Sequence, residues 1–189
     1  TLFRLLKPNL FVATGEGGNS LLALGDADAF LIDTKNAGYA DTLRREADSK
    51  GKPLATILNT HHHADHTGGN YAFAGLATLA HINAKPRIAA QRDSYMSTAT
   101  GALKQLKTAS TPAAKRLAAE IEALLTKDPN IDSWSPTEFL GTLGKPSHDT
   151  RTLAGHEVTL HHHGAGHTDN DLFIHLTEAD VIHTGDLVF

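Results

Sequence analysis

Three features of the 189-residue sequence predict a mixed α/β fold of the α+β kind. Short apolar runs bounded by Gly-rich turns open the chain. An Ala-rich stretch without strand alternation fills its middle, and strand character returns towards its end. The length suffices for one domain, 1–189, with a real hydrophobic core.

Leu10–Ala13, Ser20–Leu24 and Ala29–Asp33 read as strands, separated by the turns Gly15-Glu16-Gly17-Gly18-Asn19 and Gly25-Asp26-Ala27-Asp28. Residues 38–50 read as an amphipathic helix, with Leu43 and Ala47 inward and Arg44, Arg45 and Lys50 outward, stopped by Gly51-Lys52-Pro53. Ala55-Thr56-Ile57-Leu58 is the next strand and Leu76–Ala80 another. His81, which follows, is read as a surface residue or one standing behind a metal ligand. Residues 84–150 read as a helical insertion, in which Thr111-Pro112 is an N-cap and first helical residue. Leu117, Ile121, Leu124 and Leu125 form one apolar stripe there, expected to make core contact, and the insertion continues through Asp128-Pro129-Asn130 and the Trp134–Pro146 loop. Strands return at 157–160, 172–176 and 181–183, with no flexible interdomain linker.

Composition narrows the function classes. The chain is 40% hydrophobic and 20% charged, with a formal net charge of −4. Its sequence pI is about 6.3, so it carries no electrostatic footprint for nucleic acid or an anionic membrane. No run approaches 18 apolar residues, so nothing is expected to span a bilayer. Cysteine is absent, which removes disulfides, thiolate ligands and a Cys nucleophile. The 13 histidines cluster near 61–66 and 156–183, the distribution expected of a metal site assembled from separated segments.

Thr60-His61-His62-His63-Ala64-Asp65-His66 carries the chemistry. In an extended segment His61 and His63 point the same way, because side chains alternate with period two. Asp65 and His66 follow where the chain turns into Thr67-Gly68-Gly69-Asn70. That arrangement suits two adjacent ions, one held by His61 and His63 and the other by Asp65 and His66, with ligand types that Zn(II) accepts. The bland alternative is a solvated His-rich loop that binds metal adventitiously.

This H-x-H-x-D-H motif after a strand resembles the signature of the metallo-β-lactamase superfamily, with His62 and Ala64 at its variable positions. The resemblance implies a four-layer αββα sandwich with the helical insertion over the metal face, and His62 pointing away from the metals. It also assigns a second ligand set. His167, in Gly166-His167-Thr168, is similar to the residue that completes a three-histidine site. Asp186, in Gly185-Asp186-Leu187, resembles the aspartate that bridges two metals. His161–His163 are a competing candidate, although consecutive histidines at a strand end alternate sides and at least one should face solvent. His183 is read as structural or as supporting a ligand.

The implied function is a metal-dependent hydrolase acting on a small-molecule carbonyl substrate such as a β-lactam, lactone, ester or thioester. Two ions, Zn(II) with Fe or Mn as alternatives, would share a water or hydroxide, and Asp65 would orient that nucleophile. The rival readings are an iron-dependent oxidoreductase of the same fold and a metal-binding module without turnover. The bacterial members that the chain resembles imply a soluble cytoplasmic or periplasmic protein. The family pattern also has a further His some tens of residues beyond the bridging aspartate. The expectation is therefore that the C-terminal part of the second half is missing, with the site completed by a further segment or a second chain.

Overall fold

The computed structural model describes residues 3–127 and 134–188. The first half builds a seven-stranded sheet in sequential order from β1 (Phe3–Lys7), β2 (Leu10–Ala13), β3 (Ser20–Leu24), β4 (Ala29–Ile32), β5 (Leu54–Leu58), β6 (Ala77–His81) and β7 (Glu138–Leu140). The first four strands are antiparallel. From β4 onward the pairing is parallel, because each connection then carries helix: α1 (Ala40–Asp48), α2 (Ala64–Thr67), and the pair α3 (Ala84–Leu106) and α4 (Pro112–Lys127). A second, antiparallel sheet has the order β11-β10-β9-β8, from β8 (Ser147–Leu153), β9 (His156–His162), β10 (Phe173–Leu176) and β11 (Val181–His183).

The period-two alternation of β4 shows how the layers are held. Phe30 and Ile32 pack with Leu21, Leu58 and Leu79 against Val158, Leu160, Ile174 and Leu176 of the second sheet. Ala29 and Leu31 face the other way, onto a cluster that includes Leu43 and Ala47 of α1 and Phe73. A strand covered on both faces reads as an unbroken apolar run, which is what Ala29–Ile32 is. A smaller cluster of Ala37, Ala80, Ala84, Ile88 and Trp134 anchors the start of α3. The helical layer, the large sheet and the second sheet thus form the expected mixed α/β sandwich. Among the described residues no helix covers the outer face of the second sheet. None is long and apolar enough to cross a membrane.

Some local expectations change. Residues 84–150 are not wholly helical, because β7 extends the first sheet and β8 begins at Ser147. β8 reads Ser-His-Asp-Thr-Arg-Thr-Leu. It is an edge strand held by backbone pairing to β9 over seven residues, and its polar side chains give no apolar alternation to detect. β1 was also not expected; four of its five residues are exposed. Thr111 caps α4 as anticipated, its Oγ1 accepting from Ala114 N at 3.3 Å. The stripe is met in part: Ile121 and Leu125 are half-buried, but Leu117 is 47% exposed and the small Ala118 is the buried residue beside it. The Leu124 side chain and Asp128-Pro129-Asn130 lie outside the described residues.

Phe30 is fully buried between the sheets. Phe30→Ala should cost about 3–5 kcal/mol of stability, read as a lower urea midpoint. Leu143→Ala, at a position 67% exposed, should change it by less than about 0.5 kcal/mol.

Candidate metal centre

β5 is a parallel strand, and its carboxyl end opens where side chains in such sheets converge on ligands. The chain leaves Leu58 through Asn59 and Thr60 and turns into α2, so His61 and His66 lie buried and His63 and Asp65 half-buried. His61 Nε2 lies 3.1 Å from His63 Nδ1. His167 Nε2, 104 residues further along the chain, lies 3.0 Å from the same nitrogen. Three nitrogens around an ion at 2.0–2.1 Å would sit about 3.3 Å apart, close to what is seen. His63 Nδ1 meets two nitrogens at once and a single proton can bridge only one contact, so the cluster fits a cation at its centre.

Asp186 reaches this group from the 3₁₀ turn Gly185–Leu187 that follows β11. Its Oδ2 is 3.6 Å from His167 Nε2 and 3.9 Å from His61 Nε2. Its Oδ1 faces the other way, 3.1 Å from His66 Nε2. Asp65 Oδ2 lies 3.6 Å from that same nitrogen. The six expected residues therefore form two groups that could each hold a metal ion: His61, His63, His167 and Asp186; and Asp65, His66 and Asp186. His66 Nε2 is buried and makes no hydrogen bond. Its ion-pair contact with Asp186 is close but poorly directed, as expected of two donors aimed at a shared third atom.

Asp33 stands behind both groups. It is fully buried and accepts from Thr60 N at 2.8 Å, Thr60 Oγ1 at 2.7 Å and His66 Nδ1 at 2.6 Å. Thr60 Oγ1 in turn lies 3.0 Å from His61 Nδ1, which leaves His61 Nε2 as the lone-pair nitrogen facing the cluster. Burial alone would raise the Asp33 carboxyl, but the His66 imidazolium holds it below the usual carboxylate range. Burial would lower His66, and Asp33, Asp65 and Asp186 together outweigh it, raising it to about 9. His61 is pushed down to about 3, by burial first and then by its imidazole neighbours, against the pull of Asp33. Burial likewise lowers His63.

The second loop is braced locally. Asp171 accepts from Thr168 N at 2.8 Å and Thr168 Oγ1 at 2.6 Å, bending the chain so that His167 projects. Leu172 N donates to Thr60 O at 2.7 Å, tying this loop to the first. His62 turns aside from the cluster and accepts from Asn170 Nδ2 at 2.9 Å. His183 joins its own turn to the Gly-rich loop, 3.2 Å from Asn19 O.

His81 differs from expectation. It is fully buried and stacks on buried His162, with ring centroids 3.9 Å apart. The end of β6 points into the space between the sheets, where His162 is the facing side chain. His161 and His163 lie on the opposite face of β9, and none of His161–His163 joins either group. Asp33, Thr60 and Lys35 were not singled out as site residues. Buried Lys35 Nζ donates to Ala13 O, Gly15 O and Gly18 O at 3.1, 2.6 and 2.8 Å, holding the Gly-rich loop over the site. A lysine and an aspartate beside a strand end, rather than in a surface helix, was the available signal.

Residues 13–189 match the sequence profile of the metallo-beta-lactamase superfamily. The chain belongs to this superfamily. Among solved metallo-β-lactamases, the DIM-1 enzyme superposes with a TM-score of 0.61 at 17% identity, covering 96% of this chain and 67% of that one. The enzyme from Pontibacter korlensis gives 0.62 at 14% identity, covering 96% and 69%. The sec-alkyl sulfatase PisA1, as a double mutant, gives 0.62 at 20%, covering 97% of this chain and 31% of that one. At these identities the likeness is one of fold. A hydroxyacylglutathione hydrolase from Maricaulis maris (strain MCS10) is 39% identical over 61 residues, 28% of this chain and 24% of that protein's length. Superfamily membership together with the His/Asp cluster supports a metal-dependent hydrolase.

The Asp33–His66 pair predicts a titration. With the folded value raised to about 9 above the ordinary 6.5 or so, the pair stabilises the metal-free fold fully below the unfolded value. That contribution is lost as pH rises through about 9. NMR of the metal-free chain should find the His66 ring titrating near 9, and Asp33→Asn should bring it down.

Proposed function

We propose that this chain is a hydrolase whose His/Asp groups hold two divalent ions, zinc foremost, and which cleaves a small carbonyl substrate: an ester, thioester, lactone or β-lactam. The observation that carries this reading is the division of Asp186 between the two groups, Oδ1 towards His66 and Oδ2 towards His61 and His167. A carboxylate placed so would offer one oxygen to each group. Neutral His61, His63 and His167 would take the first, and Asp65 and His66 the second, once His66 gives up its proton. Ions bound there would lower the pKa of a water and polarise the substrate oxygen.

The chain's own residues do the remaining work. Asp65 is the half-buried carboxylate whose other oxygen is free to orient a nucleophilic water and take its proton. A cleft of about 530 Å³ lies beside His62, between the start of α3 and the loop at Leu143, lined also by Asn83, Arg87 and Gln91. Arg87 is paired there with Asp169 at 2.6 Å, so the cleft has polar donors but little net charge. Ile82, Pro86, Ala90 and Leu143 make its wall mostly apolar, so it suits an uncharged, largely apolar substituent of the substrate.

His61→Ala should abolish loading of the first ion and all turnover in a β-lactam, lactone, thioester and phosphodiester panel while circular dichroism stays unchanged. Unchanged turnover in that variant would exclude metal-dependent hydrolysis here, and iron as the bound metal would favour the oxidoreductase alternative. Asp65→Asn should keep the first ion and lower kcat by about 10²–10⁴-fold, measured on whichever substrate the panel identifies.

A further inference from the structure

Three consecutive histidines, His161–His163, divide between the two faces of β9. His162 turns inward onto His81. His161 and His163 turn outward, two residues apart on one side of the strand. β8 places His148 directly opposite His161 in the antiparallel register. The ring centroids of His148 and His161 are 6.3 Å apart, and those of His161 and His163 are 6.0 Å apart. His161 lies flat on Phe173, at 4.5 Å and 10°, and His163 stacks on the same ring at 5.3 Å and 18°, while His148 is exposed on the edge strand. A cleft of about 160 Å³ opens here, lined by Pro146, Ser147, His148, His161, His162 and His163, with no carboxylate.

We propose that His148, His161 and His163 form a peripheral binding site for a divalent transition-metal ion on the outer face of the second sheet, separate from the two internal groups. The internal three-histidine group supplies the yardstick: its ring centroids are 4.8–5.0 Å apart. The two outer pairs in contact, His148–His161 and His161–His163, are about 1 Å wider and nearly parallel, at 31° and 10°. Their donor atoms do not yet converge, and rotation of the exposed His148 and His163 side chains would have to turn them onto one point. None of the three outer rings is hydrogen-bonded among the described residues, so their nitrogens are available. Burial, and then the imidazoles of His163, His148 and His175, keep His161 below its ordinary value, so it is a neutral donor at physiological pH. An all-imidazole donor set suits Cu(II), Ni(II) and Zn(II), with Cu(II) strongest, and offers Mg(II) or Ca(II) nothing. Because His148 and His161 lie on different strands, the ion would clip edge strand β8 to β9. The inference does not depend on the chain being a hydrolase.

The test is a Cu(II) titration of the metal-free 189-residue chain beside its His148→Ala/His163→Ala variant, counted by native mass spectrometry. Both side chains are exposed, so the variant should fold as the parent does. The parent should take up one more equivalent, and Cu(II) should raise its thermal midpoint further than the variant's, as binding to the folded state requires. His161→Gln should lose the same equivalent. Equal stoichiometry in parent and both variants overturns the proposal and assigns all bound copper to the internal groups.

Discussion

Everything at the carboxyl end of the first sheet depends on one buried carboxylate. Asp33 is fully buried, and an isolated ion there would cost several kcal/mol. It is tolerated because three donors converge on it: the Thr60 amide, the Thr60 hydroxyl and His66. Those bonds join the end of β4 to the loop after β5, so the same contacts that satisfy the charge set the positions of His61 and His66. Asp33 and Lys35 both adopt left-handed backbone, at φ 58° and 64°, a conformation that costs on the order of 1–3 kcal/mol each. The strain is held by the Asp33 network on one side and by the three carbonyls around Lys35 on the other. An acid and a base, each buried and bonded, thus fix the floor and the rim of one site.

Close packing around that floor explains two glycines. A Cβ at Gly18 would lie 2.2 Å from the His66 ring, and one at Gly69 would lie 2.1 Å from Thr34 O. The first lets the Gly-rich loop cover His66, with Gly18 N donating to Asp65 O at 3.0 Å. The second lets the turn after α2 fold back on β4, where Asn70 bonds Thr34, Asn59 and the Trp134 carbonyl. Positioning of His66 therefore extends from Asp33 to the segment after α4, through side chains that never face the cluster.

What was legible in the sequence follows from range. His61, His63, Asp65 and His66 sit within six residues, and strand periodicity followed by a turn is enough to group them in two pairs. The central strands were legible because burial on both faces leaves an unbroken apolar run, as in Ala29–Ile32. His167 and Asp186 could be assigned only through resemblance, since no local rule brings residue 167 beside residue 63. β8 was not legible because its partner's backbone, and no buried side-chain face, makes it a strand. The α4 stripe was legible in part: Ile121 and Leu125 are half-buried, but periodicity does not fix where the covered face ends, and there Ala118 is buried while Leu117 is exposed. Asp33 was read as the end of a strand, and its role lies in long-range hydrogen bonds that spacing does not encode.

The site is also a consequence of sheet docking. One three-nitrogen group takes His61 and His63 from the first sheet and His167 from the second, with Asp186 following β11. The apolar layer of Phe30, Ile32, Leu58, Leu160, Ile174 and Leu176 brings the two sheets face to face. Leu172 N to Thr60 O then locks the loops in register at the edge of that layer. Imidazoles that face one another without a shared proton gain nothing from their own proximity. Hydrophobic burial between the sheets has to hold them there, and a bound cation would return part of that cost as added stability. Core and centre are therefore coupled: loosening the intersheet layer separates His167 from His63, while loss of the ligand cluster leaves the layer's apolar contacts in place.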